Sequence, residues 1–396
     1  MALDPTYNDK SFRYRTIGIF LITLAYVGVD FYLVLSNATH RGQVFGRDFI
    51  QYWSASILFQ DGLYDVLYSS REFNAFLADI FTSDLATHGF HYPPHGLFVI
   101  QPLGFLPYHL SYVLWSAVTL VLFLLAIGLP DWSRFKIYLA LLAPTTLLVI
   151  NFGQNGLLSG ALFVGGMRLL DRRPILAGIP LGLLSFKPHL GLLIPLALLA
   201  ARLWWPIVAA SLTVAAMAGW SLAMGGLDLW AAYLQQDAMS AALAILKHGS
   251  GALMSMMITP FMATRILGFE AGTGYAVQIL FAAIAVPSVV WSFWHGNDRC
   301  LQIAILATAT FLVSPYLFNY DMAMLLGALI FVFDKSTRAR FQPYEQFILL
   351  SAWALPVLGM FLNHWRLPLG PAFLLALLVM LMLRQHRIKN GSVPAM

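Results

Sequence analysis

Charge is what this chain has least of. Of its 396 residues, 10% are Asp, Glu, Lys or Arg and 59% are hydrophobic. A soluble domain carries about 25% charged residues. So little charge does not cover a water-facing surface, which excludes a cytosolic enzyme. It also excludes a disordered chain, which needs low hydrophobicity. Cysteine is almost missing: the lone Cys300 rules out an intramolecular disulfide and a cysteine-based metal site. Internal repeats are missing too, as is inverted symmetry in the hydropathy, and this counts against many transporter folds.

Long apolar runs take the place of charge. A membrane-crossing helix needs about 20 apolar residues. The runs predict an all-α polytopic membrane protein, one membrane domain over residues 1–396, with about 12 transmembrane helices. These lie near 16–36, 108–130, 137–151, 154–170, 174–187, 188–201, 203–224, 273–294, 299–316, 319–334, 345–363 and 367–384. The short stretches 174–187 and 188–201 read either as two full spans or as one broken helix pair. No small-residue cleavage site follows the first run, so it reads as a retained anchor.

The basic residues test this topology, because cytoplasmic loops are rich in Lys and Arg. With the N-terminus inside, 16 of the 23 Lys and Arg, Lys136 and Arg384 among them, fall on the cytoplasmic side. That predicts both termini inside a plasma (inner) membrane. The sequence pI near 9.3 then reflects topology signals and solvated helix ends facing membrane lipids, with no nucleic-acid partner. Two long loops, 37–107 and 225–272, fall outside. Helical periodicity in 48–60, 71–81 and 229–246, the last closed by Gly249-Ser250-Gly251, predicts interfacial helices there. Phe49, Trp53 and Phe59 would dip into the interface. Chemistry is expected on the outer face.

Candidate residues cluster in these outer segments. Asp48, beside Arg47, stands just beyond the first span. An ionised carboxylate there could take a proton from a hydroxyl as general base; an Asp ahead of Phe-Ile-Gln is also a good helix N-cap. In His91-Tyr92-Pro93-Pro94-His95 the prolines fix an extended backbone, making either a structural corner or a rigid binding edge. They also rule out a helical His pair for metal. Asn151, Gln154 and Asn155 form a turn, or hydrogen-bond sugar hydroxyls. Lys187, followed by Pro188 and His189, stands outside, where the positive-inside rule disfavours it. Such an ammonium needs an anionic partner, with lipid phosphate an obvious one, or snorkels to headgroups. Arg265, Lys247 and His248 are weaker candidates for that role. Tyr320 and Asp321 close the polar knot Ser314–Asp321 and either orient substrate or cap a helix. Asp30, an intramembrane carboxylate, is a candidate by default.

Several of these fall in an ordered set: Arg47-Asp48-Phe49 with Tyr52-Trp53, Gly62-Leu63-Tyr64, Tyr92-Pro93-Pro94, Gln101-Pro102-Leu103, Gly153-Gln154-Asn155, Arg172-Arg173-Pro174, Lys187-Pro188 and Ser314-Pro315. The set resembles the GT-C superfamily of integral-membrane glycosyltransferases, most closely glycosyltransferase family 87, over about residues 40–330. The resemblance implies a polyprenyl-phosphate sugar donor, a lipid or glycan acceptor, inverting transfer to a hydroxyl, no cofactor, and Asp48 as catalytic base. Lys187 matches the family's Lys-Pro position. Where some members carry histidines after Ser-Pro, this chain has Tyr316, Asn319, Tyr320 and Asp321, so mannose is not carried over. A retaining reaction would need a second carboxylate, for which Asp61 and Asp65 stand open. The rival reading is a transporter or lipid flippase, with Asp30 and Lys187 as coupling charges.

Overall fold

The computed structural model describes residues 5–35, 44–81, 85, 87–128, 132–235, 246, 252–336 and 341–390. Among them helix is the only regular structure, apart from one isolated bridge between Met257 and Phe318. The all-α expectation holds, and helix occupies every stretch expected to cross. The count of 12 crossings is not confirmed. Five helices are long and apolar enough to cross: Tyr108–Gly128, Trp204–Gln235, Ala271–His295, Pro343–His364 and Gly370–Lys389. A sixth forms if Arg134–Leu141 and Pro144–Phe152, bent by 52°, make one span.

Proline explains two of the interruptions. Pro144 has no N–H and its ring crowds the preceding turn, so Ala143 goes extended (ψ 134°) and the helix bends. Thr146 repairs part of the damage by donating to the Ala140 carbonyl at 2.6 Å. Pro188 acts alike on the run 174–201. Helix Pro174–Leu183 tightens into a 3₁₀ turn, Lys187 leaves helical geometry (φ −123°, ψ 74°), and short helices resume at Pro188. Lys187 is thereby held at a break between two apolar helices, each too short for a core of about 30 Å.

Burial follows the helix faces. Tyr108–Gly128 buries Trp115, Thr119, Phe123 and Ile127 at four-residue spacing and exposes Val113, Val118 and Val121 on the other side. An exposed apolar stripe suits lipid. Arg299–Val313 is buried on all sides from Leu301 to Leu312, as befits a helix apolar all round. It delivers the polar knot that starts at Ser314.

Two expectations need correction. Phe49–Gln60 is a helix, but its aromatics do not dip into an interface: Phe49 packs on the Tyr108 and Tyr112 rings, and Phe59 is buried. Trp53 donates its indole N–H to the Leu106 carbonyl. Protein takes the place assigned to lipid. Arg384 and Lys136 are not solvated helix ends either. Arg384 pairs with buried Glu345 at 3.1 Å, and Lys136 lies over the Phe331 ring. Helix Ser70–Ile80 forms as expected, with Ser69 as its cap. The long helix starting at Trp204 breaks at Gly226 (φ +64°). Gly249-Ser250-Gly251, Lys247, His248 and the side chain of Asp30 lie outside the described residues.

Candidate active site

The helix Phe49–Gln60 begins where it is pinned to the end of Pro144–Phe152. The Asp48 N–H donates to the Phe152 carbonyl at 2.9 Å. Next in that chain, Gly153 turns left-handed (φ +66°), and a Cβ there would collide with Phe49. The turn swings Gln154 against Asp48. At the following position that permits close approach, a Cβ on Gly156 would collide with the Tyr320 carbonyl, so the 319–322 turn packs directly on this loop.

These contacts assemble one continuous hydrogen-bonded chain. Gln154 Nε2 donates to Asp48 Oδ2 at 2.8 Å, and Gln154 Oε1 accepts from the Tyr52 hydroxyl at 2.5 Å. Asn155 Nδ2 donates to the hydroxyls of Tyr52 (3.0 Å) and Tyr92 (2.8 Å). Asn155 Oδ1 accepts from Lys187 Nζ at 2.7 Å, and Lys187 Nζ meets Asp321 Oδ1 at 2.5 Å. Asp321 Oδ2 accepts from the Phe318 N–H at 3.0 Å. Each amide has its orientation dictated by its neighbours. Burial holds Tyr52 protonated, its pKa well above the ordinary value, so its hydroxyl remains a donor.

Charge is balanced at the far end. Lys187 and Asp321 are 4% and 0% exposed, and an unpaired charge at such depth costs several kcal/mol. Together they are neutral, and the ammonium also lies 5.1 Å from the centre of the Tyr320 ring. Asp48 is different. It is half-buried and occupies the N-cap position of its helix, yet its side chain caps nothing. Among the described residues only Gln154 hydrogen-bonds its carboxylate, through one of its two oxygens.

Two cavities flank this structure. One, of about 330 Å³, is lined by Gln51, His91, Tyr92, Gln154, Lys187, His189, Tyr233, Tyr320 and Asp321, with apolar residues between them. The other, of about 720 Å³, is lined by Tyr26, Arg47, Met256, Arg265, Asn363, His364 and Arg366, among others. Both volumes suit small-molecule sites. Phe318, which lines the smaller cavity, bridges to Met257, and the Asn319 N–H donates to the carbonyl of Met256, which lines the larger one.

The expected site residues divide accordingly. Tyr92, Gln154, Lys187, His189, Tyr320 and Asp321 line the smaller cavity, and Asn155 lies behind it at 1% exposure. Asp48 touches that cavity through Gln154. Arg47 and Arg265 line the larger one; Arg47 lies over the Phe152 ring and Arg265 donates to the Phe269 carbonyl. Two residues join neither. Asn151, one residue before the end of its helix, lines neither cavity, and His95 stacks on Trp230 and bonds the Ser185 carbonyl. Sequence reading gave no role to Tyr52, the hub of the chain, or to Arg366. Tyr52 follows Asp48 by four residues, one helical turn, and that spacing was a usable signal. No group of three or more His, Cys, Asp or Glu among the described residues could hold a metal.

Fold and site together define a helical membrane protein with an internal polar network beside two cavities. Residues 90–315 match the family model of Glycosyltransferase family 87, more than half of the chain. The protein therefore belongs to glycosyltransferase family 87 and is a glycosyltransferase. No curated protein and no solved structure matches it. The matched stretch holds Tyr92, Gln154, Asn155 and Lys187; Asp48 and Tyr52 precede it, and Tyr320 and Asp321 follow. The fold brings all of them to one place.

Proposed function

We propose that this glycosyltransferase moves a hexose from a polyprenyl-phosphate sugar to a hydroxyl of a lipid or glycan acceptor, on the outer face of the plasma membrane, with inversion. Asp48 is the general base. It takes the proton of the acceptor hydroxyl as that oxygen bonds to C1 of the sugar. The C1–O bond to phosphate breaks, and its electron pair leaves with the phosphate. The departing anion needs a cation, and Arg47, Arg265 and Lys187 are the candidates.

The observation that carries this reading is the half-exposed Asp48 carboxylate, oriented by Gln154 through one oxygen alone. A single displacement needs one base. A retaining route needs a second carboxyl group about 5 Å from the first. Asp61 closes the helix that starts after Asp48, roughly 20 Å along its axis. Asp65 is exposed on the next turn, and Asp321 is committed to Lys187. The outer location rests on the excess of Lys and Arg in the loops read as cytoplasmic.

The test is sugar transfer by purified protein from a polyprenyl-phosphate sugar. Asp48→Asn and Asp48→Ala should lose activity by about 10²–10⁴-fold, the range for a general base. Near-normal turnover in a folded variant removes Asp48 from that role.

A further inference from the structure

The groups that join Lys187 to Asp48 can each point two ways. The amides of Asn155 and Gln154 can turn over and exchange oxygen for nitrogen, and the hydroxyls of Tyr52 and Tyr92 can rotate. Lys187 is the exception, because an ammonium donates and never accepts. Its Nζ lies 2.7 Å from Asn155 Oδ1, so Asn155 gives its oxygen to the lysine. Both Nδ2 hydrogens are left for the other side, and they go to the oxygens of Tyr52 and Tyr92. Tyr52 accepts there and sends its own proton to Gln154 Oε1. Gln154 then turns its Nε2 to Asp48 Oδ2.

Asp48 is the other end of this chain, and it changes during the reaction. As a carboxylate it accepts, and by itself it favours the Gln154 N–H. Once it holds the proton of the acceptor hydroxyl it is a carboxylic acid and donates as well. A Gln154 turned over would receive that proton on Oε1 and keep it on the base. Turning over also aims Nε2 at Tyr52, whose oxygen already receives Asn155. Tyr52 would have to give up Gln154 and swing its proton to Tyr92, 2.9 Å away. Asn155 cannot turn to relieve this, since its nitrogen would then face the ammonium.

We propose that Lys187 is a positioning residue for the base. Its ammonium, answered by Asp321, sets the direction of the chain, so that Gln154 keeps its N–H on Asp48 after proton transfer and the base sheds its proton. The assignment rests on Asp48 as the base of the sugar-transfer reading above. It gives Lys187 a role that needs no contact with phosphate.

The test is a cycle of variants of the purified full-length protein, read as kcat and KM for transfer from a polyprenyl-phosphate sugar. Lys187→Met/Asp321→Leu removes the fixed donor together with its counter-charge. Tyr52→Phe cuts the chain between Asn155 and Gln154. Each should lower kcat about fivefold, the worth of one buried hydrogen bond, with KM for the donor within about twofold of the wild type. The triple variant should also stand about fivefold below the wild type and not about 25-fold, because a chain cut at Tyr52 carries no direction from Lys187. If the two losses multiply, the proposal is overturned, and Lys187 acts independently of the chain. An unchanged kcat in Lys187→Met/Asp321→Leu, or a change in KM alone, overturns it as well. Should that variant not fold, Lys187→Gln/Asp321→Asn takes its place with the same expectation, since a glutamine amide can itself turn over. Near-normal turnover in Asp48→Asn sinks the transfer reading; multiplied losses beside an inactive Asp48→Asn sink this proposal alone.

Discussion

The two cavities beside residues 47 and 48 differ in the charged groups that line them. In the smaller one the buried ammonium of Lys187 is answered inside the protein by Asp321. In the larger one three arginines and a histidine line the same space. A compensated cavity is preorganised and favours neutral, hydroxyl-rich ligands. A cationic cavity favours an anion. The contrast teaches that the count of basic residues in a site matters less than what already faces each of them.

The largest way to break the contrast is Asp48→Asn. It removes the acceptor of the proton and leaves both cavities shaped as they are, so activity should fall about 10²–10⁴-fold with binding of polyprenyl phosphate retained. Loss of both together would mean that the two cavities are not separable.

Next in size is the buried pair. Lys187→Met strands Asp321, at 0% exposure, without its cation. Breaking such a pair costs about 3–5 kcal/mol, whereas replacing both partners is often close to neutral. Lys187→Met should therefore lower the thermal unfolding temperature sharply, and Lys187→Met/Asp321→Leu should recover most of it. A double variant as unstable as the single one would show that the stability comes from packing around the pair and not from its charges.

The pair also marks the limit of what the sequence disclosed. Helices were legible because apolar runs are long and uninterrupted by charge. Span lengths were not: Pro144 sits inside the stretch 137–151, which hydropathy alone reads as whole, while the stretches meeting at Pro188 read either as two short spans or as one broken pair. The aromatics of Phe49–Gln60 were read against lipid, since periodicity reports an apolar face without saying what covers it. Asp48, Gln154, Lys187 and Asp321 were each singled out, but nothing local joins residues 134 positions apart, as Lys187 and Asp321 are. Tyr52 entered only as part of the family resemblance and with no role, because a tyrosine on an aromatic helix looks like core until its hydroxyl is found between two amides.

Smaller effects sharpen the positioning role of those amides. Tyr52→Phe keeps the ring and deletes the hydroxyl that fixes Gln154 and meets Asn155. One lost buried hydrogen bond is worth about 1 kcal/mol, or roughly fivefold. The fall should appear in kcat, with KM for the donor unchanged if the donor phosphate lies in the other cavity. Gln154→Leu, which removes the one described hydrogen-bond donor to the Asp48 carboxylate, should cost more than Tyr52→Phe. The reverse order would place the catalytic orientation elsewhere.

The smallest expected effect is on stability against pH, and it separates the cavities once more. His91 lines the polar cavity and His95 braces it; burial lowers the pKa of both from the usual 6.5, although the Ser185 carbonyl opposes this at His95. Burial thus favours the neutral form of both in the fold. As pH falls through 6.5 the unfolded chain takes up these protons first, so stability present above that pH is lost as pH drops toward the lower folded values. The unfolding temperature in detergent should fall between pH 7.5 and pH 5.5. In His91→Gln/His95→Gln the fall should be shallower. A double variant with the wild-type slope would assign the acid sensitivity to other groups.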